Sequence, residues 1–175
     1  SINAAGGVPK LGQWVLLTAT FDGTSSTSSS KLYHNGQDVS STGIDVSSFT
    51  GTIATTAANF VIGYREESTS LDLVGRMAQL AVWSGVKTQA NVLSLWELGP
   101  TGNWQTSFSS NMLGYWGMGN HNELAGRPAD TASIMYDRSG NGHDGTTAGT
   151  MYAPNKGHLI VNNSVASHST DVKNF

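Results

Sequence analysis

The stretch "DRSGNGHDGT", Asp137 to Thr146, gathers two carboxylates, an amide and an imidazole within ten residues. Asp137, Asn141 and Asp144 could supply three of the six to eight oxygen ligands that Ca²⁺ takes. The spacing is not that of an EF-hand loop. Asp and Asn beside Gly are also what tight turns use, because their short side chains accept from nearby backbone N–H groups. Two readings therefore stand for this loop, a Ca²⁺ site and an Asx-type turn, and the neighbouring glycines are a sufficient reason for the turn. Asp22 in "FDGT" carries the same two readings.

Other chemistry finds little support. There is no cysteine, which excludes a disulfide framework, a thiolate metal site and a Cys nucleophile. The five histidines, His34, His121, His143, His158 and His168, are far apart in sequence, and no Gly-x-Ser-x-Gly elbow, His-Glu-x-x-His helix or phosphate-binding Gly loop occurs. Of the twelve acids only Glu66, Glu67 and Asp72 are near neighbours, in the "REESTSLD" loop, where solvation explains them. Carbohydrate recognition needs an exposed aromatic face with polar groups converging on it. Trp14, Trp83 and Trp116 fall in strands and Trp96 on a helical stripe, which assigns them to core packing. Trp104, between Asn103 and Gln105 in a polar linker, is the candidate contact residue, and it could also fold back as a cover.

Composition narrows the partners. Charged residues make up 12% of the 175, about half of the ~25% usual for soluble domains, so hydroxyls and amides must form much of the surface. A net charge of -3 with nine scattered Lys and Arg leaves no basic stripe, and nucleic acid is not an expected partner. No apolar run approaches the ~20 residues that span a bilayer, so no membrane association is expected. The opening "SINAAGGVPK" has neither a charged leader nor an apolar core and lacks an initiator Met, which reads as a processed product or a piece of a longer chain.

Short strands must position these residues. "QWVLLTATF" (Gln13 to Phe21) alternates with period two, Thr18 and Thr20 on one face and Val15, Leu17, Ala19 and Phe21 on the other. Asn35-Gly36 is a hairpin signal, since both central residues of a type I′ turn need positive φ. Ala58–Tyr64, Leu73–Gly85 and Met112–Met118 are further strands, the second of them long and central. "TQANVLSLWELG" reads as the one short helix, with Thr88 as N-cap, Val92, Leu95 and Trp96 at helical spacing, and Gly99 and Pro100 at its end. The class is all-β, an antiparallel β-sandwich or jelly roll with one short helix.

Five segments, "GQWVLLTATFDG", "KLYHNGQ", "FVIGY", "GRMAQLAVWSGVKTQANVLSLWELG" and "LGYWGMG" leading to "DRSGNGHDGT", together resemble the laminin G-like, concanavalin A-like jelly-roll superfamily, over roughly 120 of the 175 positions. The resemblance implies a concanavalin A-like jelly roll over 1–160 with a C-terminal tail over 161–175. It also implies that Ca²⁺ could sit on loop carboxylates and carbonyls, with Asp137, Asn141 and Asp144 as side-chain oxygen ligands. Enzymes of that fold carry a Glu-x-Asp-x-x-Glu strand, so that acid and nucleophile lie about 5 Å apart. Glu66, Glu67 and Asp72 do not form it. The order departs from the family pattern, in which the Tyr-Trp strand and Gly-rich loop open the domain. Here they follow the helix, so 112–150 supplies late strands, either of a permuted sandwich or of a second copy. The late "GYW" strand with "SGNGHDGT" also resembles the C-terminal ends of marine bacteriophage structural proteins.

These readings imply a non-enzymatic virion structural protein, a capsid decoration or a tail or fibre component. Its partners would be other virion proteins or copies of itself, with adhesion to host-surface glycan. The alternative is a carbohydrate-binding module of a secreted or cell-surface protein with a Ca²⁺-assisted loop.

Overall fold

The computed structural model describes residues 12–24, 30–40, 60–62, 75–118, 128–131 and 133–146, and the backbone of 151–152 and 159–161. Its elements run β1 (Leu17–Thr20), β2 (Lys31–His34), β3 (Gln37–Asp38), β4 (Gly75–Met77), β5 (Leu80–Trp83), α1 (Gln89–Leu98), α2 (Trp104–Phe108), β6 (Met112–Trp116), β7 (Ile134–Met135), β8 (Gly145–Thr146), β9 (Met151–Tyr152) and β10 (Leu159–Val161). The chain divides into two compact units, one of Ser1–Ala57 with Ser84–Trp104, the other of Ala58–Trp83 with Gln105–Phe175. Mostly strands, in small antiparallel sheets, with two helices, is the architecture of the described residues.

In the first unit β1, β2 and β3 form an antiparallel meander, with Leu17 opposite His34 and Thr20 opposite Lys31. The Asn35-Gly36 turn expected from sequence is present, with φ of 51° and 80°. Asn35 also ties the turn back to the chain before β1: its N–H donates to Leu16 O at 2.9 Å, and its Oδ1 accepts from Leu16 N at 2.9 Å. The period-two alternation of β1 holds, but the threonine face is the covered one. Thr20 is buried, whereas Leu17 is 54% exposed and Trp14, placed in the core by its sequence context, lies outside the strand at 40%. Alternation fixes which residues share a face and says nothing about which face is covered.

Helix α1 forms where its signals predict. Thr88 Oγ1 accepts from Asn91 N, Asn91 Oδ1 accepts from Thr88 N, and Gly99, at φ 70°, donates its N–H to Trp96 O, so each terminus gains a partner for one of its orphan groups. Its stripe buries Val92 and Leu95. The helix lies close on the hairpin turn: a Cβ on Gly36 would stand 2.9 Å from Leu93 Cδ1 and 3.0 Å from Leu93 Cα. Gly36→Ala therefore meets two penalties, an L side chain at positive φ and a clash with helix backbone. A loss of about 2 kcal/mol in urea unfolding is expected, and an unchanged midpoint would contradict this packing.

The expectation of one helix and a linker is corrected by α2. The Trp104 side chain is 6% exposed, so an apolar residue in a polar-looking stretch draws that stretch into a helical turn against covering structure. The turn's last carbonyl, Phe108 O, accepts from Trp83 Nε1 at 2.8 Å, which satisfies one of the acceptors a helix end leaves open.

In the second unit the described part of the long strand expected over Leu73–Gly85 forms two strands in different sheets, β4 and β5. β4 pairs with β10, which pairs with β9, while β5 pairs with β6. Between them Gln79 takes φ 53°, and its buried side chain accepts from Tyr115 Oη at 2.8 Å. A left-handed residue redirects the chain, and the buried tyrosine contact holds it there. β7 and β8 pair across the Gly-rich loop. Trp116, Met118 and Met135 form the buried cluster, with Ile62, Met77, Leu80 and Val82 packed against it. Of the expected strand Ala58–Tyr64 only residues 60–62 are described, and they are not in a strand.

Candidate functional site

The loop after β7 is organised around the carboxylate of Asp137, which is buried and faces β6. Its Oδ1 accepts from Tyr115 N at 2.9 Å and from Ser139 N at 2.8 Å, and its Oδ2 accepts from Ser139 Oγ at 2.8 Å and from His143 N at 3.0 Å. Beside it Arg138 N donates to Tyr115 O at 2.6 Å. Tyr115 already faces Ala81 of β5 on its other side. The Asp137 side chain thus does for β6 what a third strand would do, accepting the outward N–H of a residue with no solvent contact.

The other loop residues close the same structure. Asn141 Nδ2 donates to Met112 O at 2.8 Å, Leu113 O at 3.0 Å and Ser139 Oγ at 3.2 Å. Asp144 Oδ1 accepts from Asp137 N at 3.0 Å. His143 Nδ1 lies 2.9 Å from Leu113 O, an acceptor, so Nδ1 carries the proton, and its ring is 3.7 Å from Asp137 Oδ2. Trp116 Nε1 donates to His143 O at 2.9 Å, fixing the indole to the loop. Asp137, Asn141 and Asp144 are brought together as the sequence suggested, but their roles are those of a turn. The donor set does not fit Ca²⁺: both oxygens of Asp137 face N–H and O–H donors, and Asn141 presents its nitrogen to carbonyls. Among the described residues no group of three acids or histidines is placed to hold a metal.

One buried ion pair braces this loop. Arg138 Nη2 meets Asp130 Oδ1 at 2.9 Å and Pro128 O at 2.7 Å, with the side chains 0% and 2% exposed. Asp130 Oδ1 also accepts from Tyr136 N at 2.9 Å, and the guanidinium sits 5.6 Å from the Tyr136 ring centroid. No sequence motif announces this pair. An Asp and an Arg eight residues apart have no helical or strand relation, and only the charge of Arg138 inside an otherwise polar turn could have drawn attention to it.

A family model described as the concanavalin A-like lectin/glucanases superfamily matches residues 1–93, just over half of the 175. The chain belongs to that superfamily. No curated protein and no solved structure matches it. The matched residues take in the Asn35-Gly36 hairpin and β5 and end inside α1, before β6 and the Asp137 loop. Membership of the concanavalin A-like superfamily thus supports the expected fold family from the front of the chain, while the later part rests on its own geometry.

Asp22 Oδ1 accepts from Thr24 N at 2.9 Å and from Thr24 Oγ1 at 2.8 Å, an Asx-type turn. Asn103 and Gln105 are half-buried on either side of buried Trp104, whose ring therefore offers no open face. Glu66, Glu67 and Asp72, like His121, His158 and His168, lie outside the described residues. An aromatic that sequence reading passed over stands out instead: Phe60, 66% exposed, stacks on Trp116 with ring centroids 6.0 Å apart and planes inclined by 26°.

The Asp137 loop also predicts how stability follows pH. Burial pushes the Asp137 carboxyl up, but the hydrogen bonds from Tyr115 N, Ser139 and His143 N together outweigh it and hold its pKa below the ordinary value. A depressed folded pKa contributes stability that is present above the unfolded value, near 3.9, and is lost as pH falls through the folded value. Asp38, held down mainly by Ser40, acts in the same direction. Melting midpoints should be flat through neutral pH and fall steeply below about pH 4. In Asp137→Asn that fall should be shallower, and an equal slope in both proteins would refute the assignment.

Proposed function

We propose that the chain is a non-enzymatic structural module of a phage virion, a capsid decoration or a tail or fibre component, working by protein contacts and by adhesion to host-surface glycan. The observation that carries the adhesive part is the Phe60–Trp116 stack. Phe60 turns an open ring to solvent, and the ring beneath it is anchored through Trp116 Nε1 to His143 O. A rigid aromatic face of this kind stacks on the apolar face of a sugar with little entropy to lose. Membership of a superfamily of lectins and glucanases supports the glycan part. The low charge and the resemblance of the "GYW" strand and "SGNGHDGT" loop to phage structural proteins support the virion part.

Two measurements test it. Purified particles should contain the chain at a copy number tied to capsid or tail symmetry, and its absence from them would sink the virion assignment. A glycan array should give hits that weaken about tenfold in Phe60→Ala, roughly the worth of one aromatic contact. Binding should survive chelation of divalent cations. Glycan hits without any presence in particles would favour a module of a secreted or surface protein.

A further inference from the structure

We infer that Asn141 is a site of spontaneous, irreversible deamidation and that its conversion unlocks the loop over β6. The inference stands apart from the proposed function. Two Asn-Gly pairs lie among the described residues, Asn35-Gly36 and Asn141-Gly142, and the structure treats them differently. Gly lacks the Cβ that would hinder its nitrogen from reaching the side-chain carbonyl before it, which is why this pair is the reactive one. At Gly142, with φ 78°, a Cβ would have nothing within 4 Å, the residue is exposed, and its N–H has no acceptor among the described residues. Hydrogen bonds hold both asparagines, Asn35 to Leu16 and Asn141 to Met112, Leu113 and Ser139, but of the two glycines Gly36 alone is pressed against a neighbour, Leu93. Asn141-Gly142 has room at its glycine to rearrange, and Asn35-Gly36 does not.

The reaction needs water alone. The Gly142 nitrogen attacks Cγ of Asn141, the Cγ–Nδ2 bond breaks, and the amide nitrogen leaves as ammonia, carrying away the proton that the Gly142 N–H gives up. The resulting five-membered succinimide is opened by water at either carbonyl, giving Asp or isoaspartate. Its structural consequence follows from what Nδ2 does now. It donates to Met112 O, Leu113 O and Ser139 Oγ, and a carboxylate in its place donates to none of them. The product instead sets a negative charge against two carbonyl oxygens and beside the hydroxyl that serves Asp137. The loop's attachment to β6 then rests on Asp137, the Arg138 N–H, the Ser139 hydroxyl and His143.

The test is ageing of the full chain at mildly alkaline pH, with proteolysis and mass spectrometry at intervals. Replacement of NH₂ by OH at residue 141 should lead replacement at residue 35 at every time point, and the melting midpoint should fall as residue 141 converts. Freshly made Asn141→Asp should melt roughly 5 °C below the parent. Earlier conversion of Asn35 would overturn the inference. So would an Asn141 that converts only in denatured samples, or an Asn141→Asp chain that melts with the parent. Because the ageing arm reads mass on the unaltered protein, a variant that fails to fold leaves it decisive.

Discussion

Asp137→Ala is expected to lower the melting midpoint by about 10 °C, corresponding to about 4 kcal/mol for a chain of this size. The methyl group removes an acceptor of four hydrogen bonds at once. Three of the donors are backbone N–H groups, those of Tyr115, Ser139 and His143, and Tyr115 has no solvent contact at all. A buried donor left without a partner costs its desolvation in full, about 1–3 kcal/mol, whereas the making of an ordinary bond contributes about 1. Asp137→Asn should be intermediate, since one amide oxygen keeps two of the donors while the new NH₂ group confronts the others. Thermal unfolding followed by near-ultraviolet dichroism reads both variants through Tyr115 and Trp116. A midpoint within about 2 °C of the parent for Asp137→Ala would mean that the loop is not fastened as described.

The second large effect lies one residue on. Arg138→Met should destabilise by about 3–5 kcal/mol, because it strands the Asp130 carboxylate, 2% exposed, without its cation. Asp130→Ala should cost a similar amount for the mirror-image reason, with the further loss of the acceptor for Tyr136 N. The diagnostic is the double variant. Once both charges are gone neither is stranded, so Arg138→Met with Asp130→Ala should be destabilised by clearly less than the sum of the single changes. Denaturant titration of the four proteins closes the cycle. Additive losses would show that the two side chains act independently and that the pair is not a unit.

These two variants address the residues on which sequence reading was least informed. In "DRSGNGHDGT" the types and spacing limited Asp137 to a turn or a metal ligand, and Asp22, the simpler case, is the turn that its glycine implied. What distinguishes Asp137 is the partner 22 residues earlier in the chain, the N–H of Tyr115, and no local pattern encodes a contact of that range. Asp130 and Arg138 are silent for a related reason: a buried ion pair in irregular backbone has no period to detect. Phe60 was legible as an apolar residue in a short β-like run. Its exposure and its stacking on Trp116 belong to the packing around it.

The sequence by itself determined the local conformations whose causes lie within a few residues. The Asn35-Gly36 turn follows from the freedom of those two residues at positive φ, α1 from Thr88, Asn91 and Gly99 at its ends, and β1 from its alternation of side chains. The front of the chain also carried enough of its family pattern to place it in the concanavalin A-like superfamily. Tertiary structure alone decided where those pieces are covered and what holds them. It cut Leu73–Gly85 in two at Gln79, where a bond to Tyr115 stabilises a backbone conformation that no propensity favours. It buried Trp104 and exposed Trp14, because burial is a property of what lies opposite a side chain and not of the side chain itself. And it turned the carboxylate of the Gly-rich loop inward, since three N–H groups of β6 and of the loop itself and the Ser139 hydroxyl offered it four donors in a place that solvent does not reach.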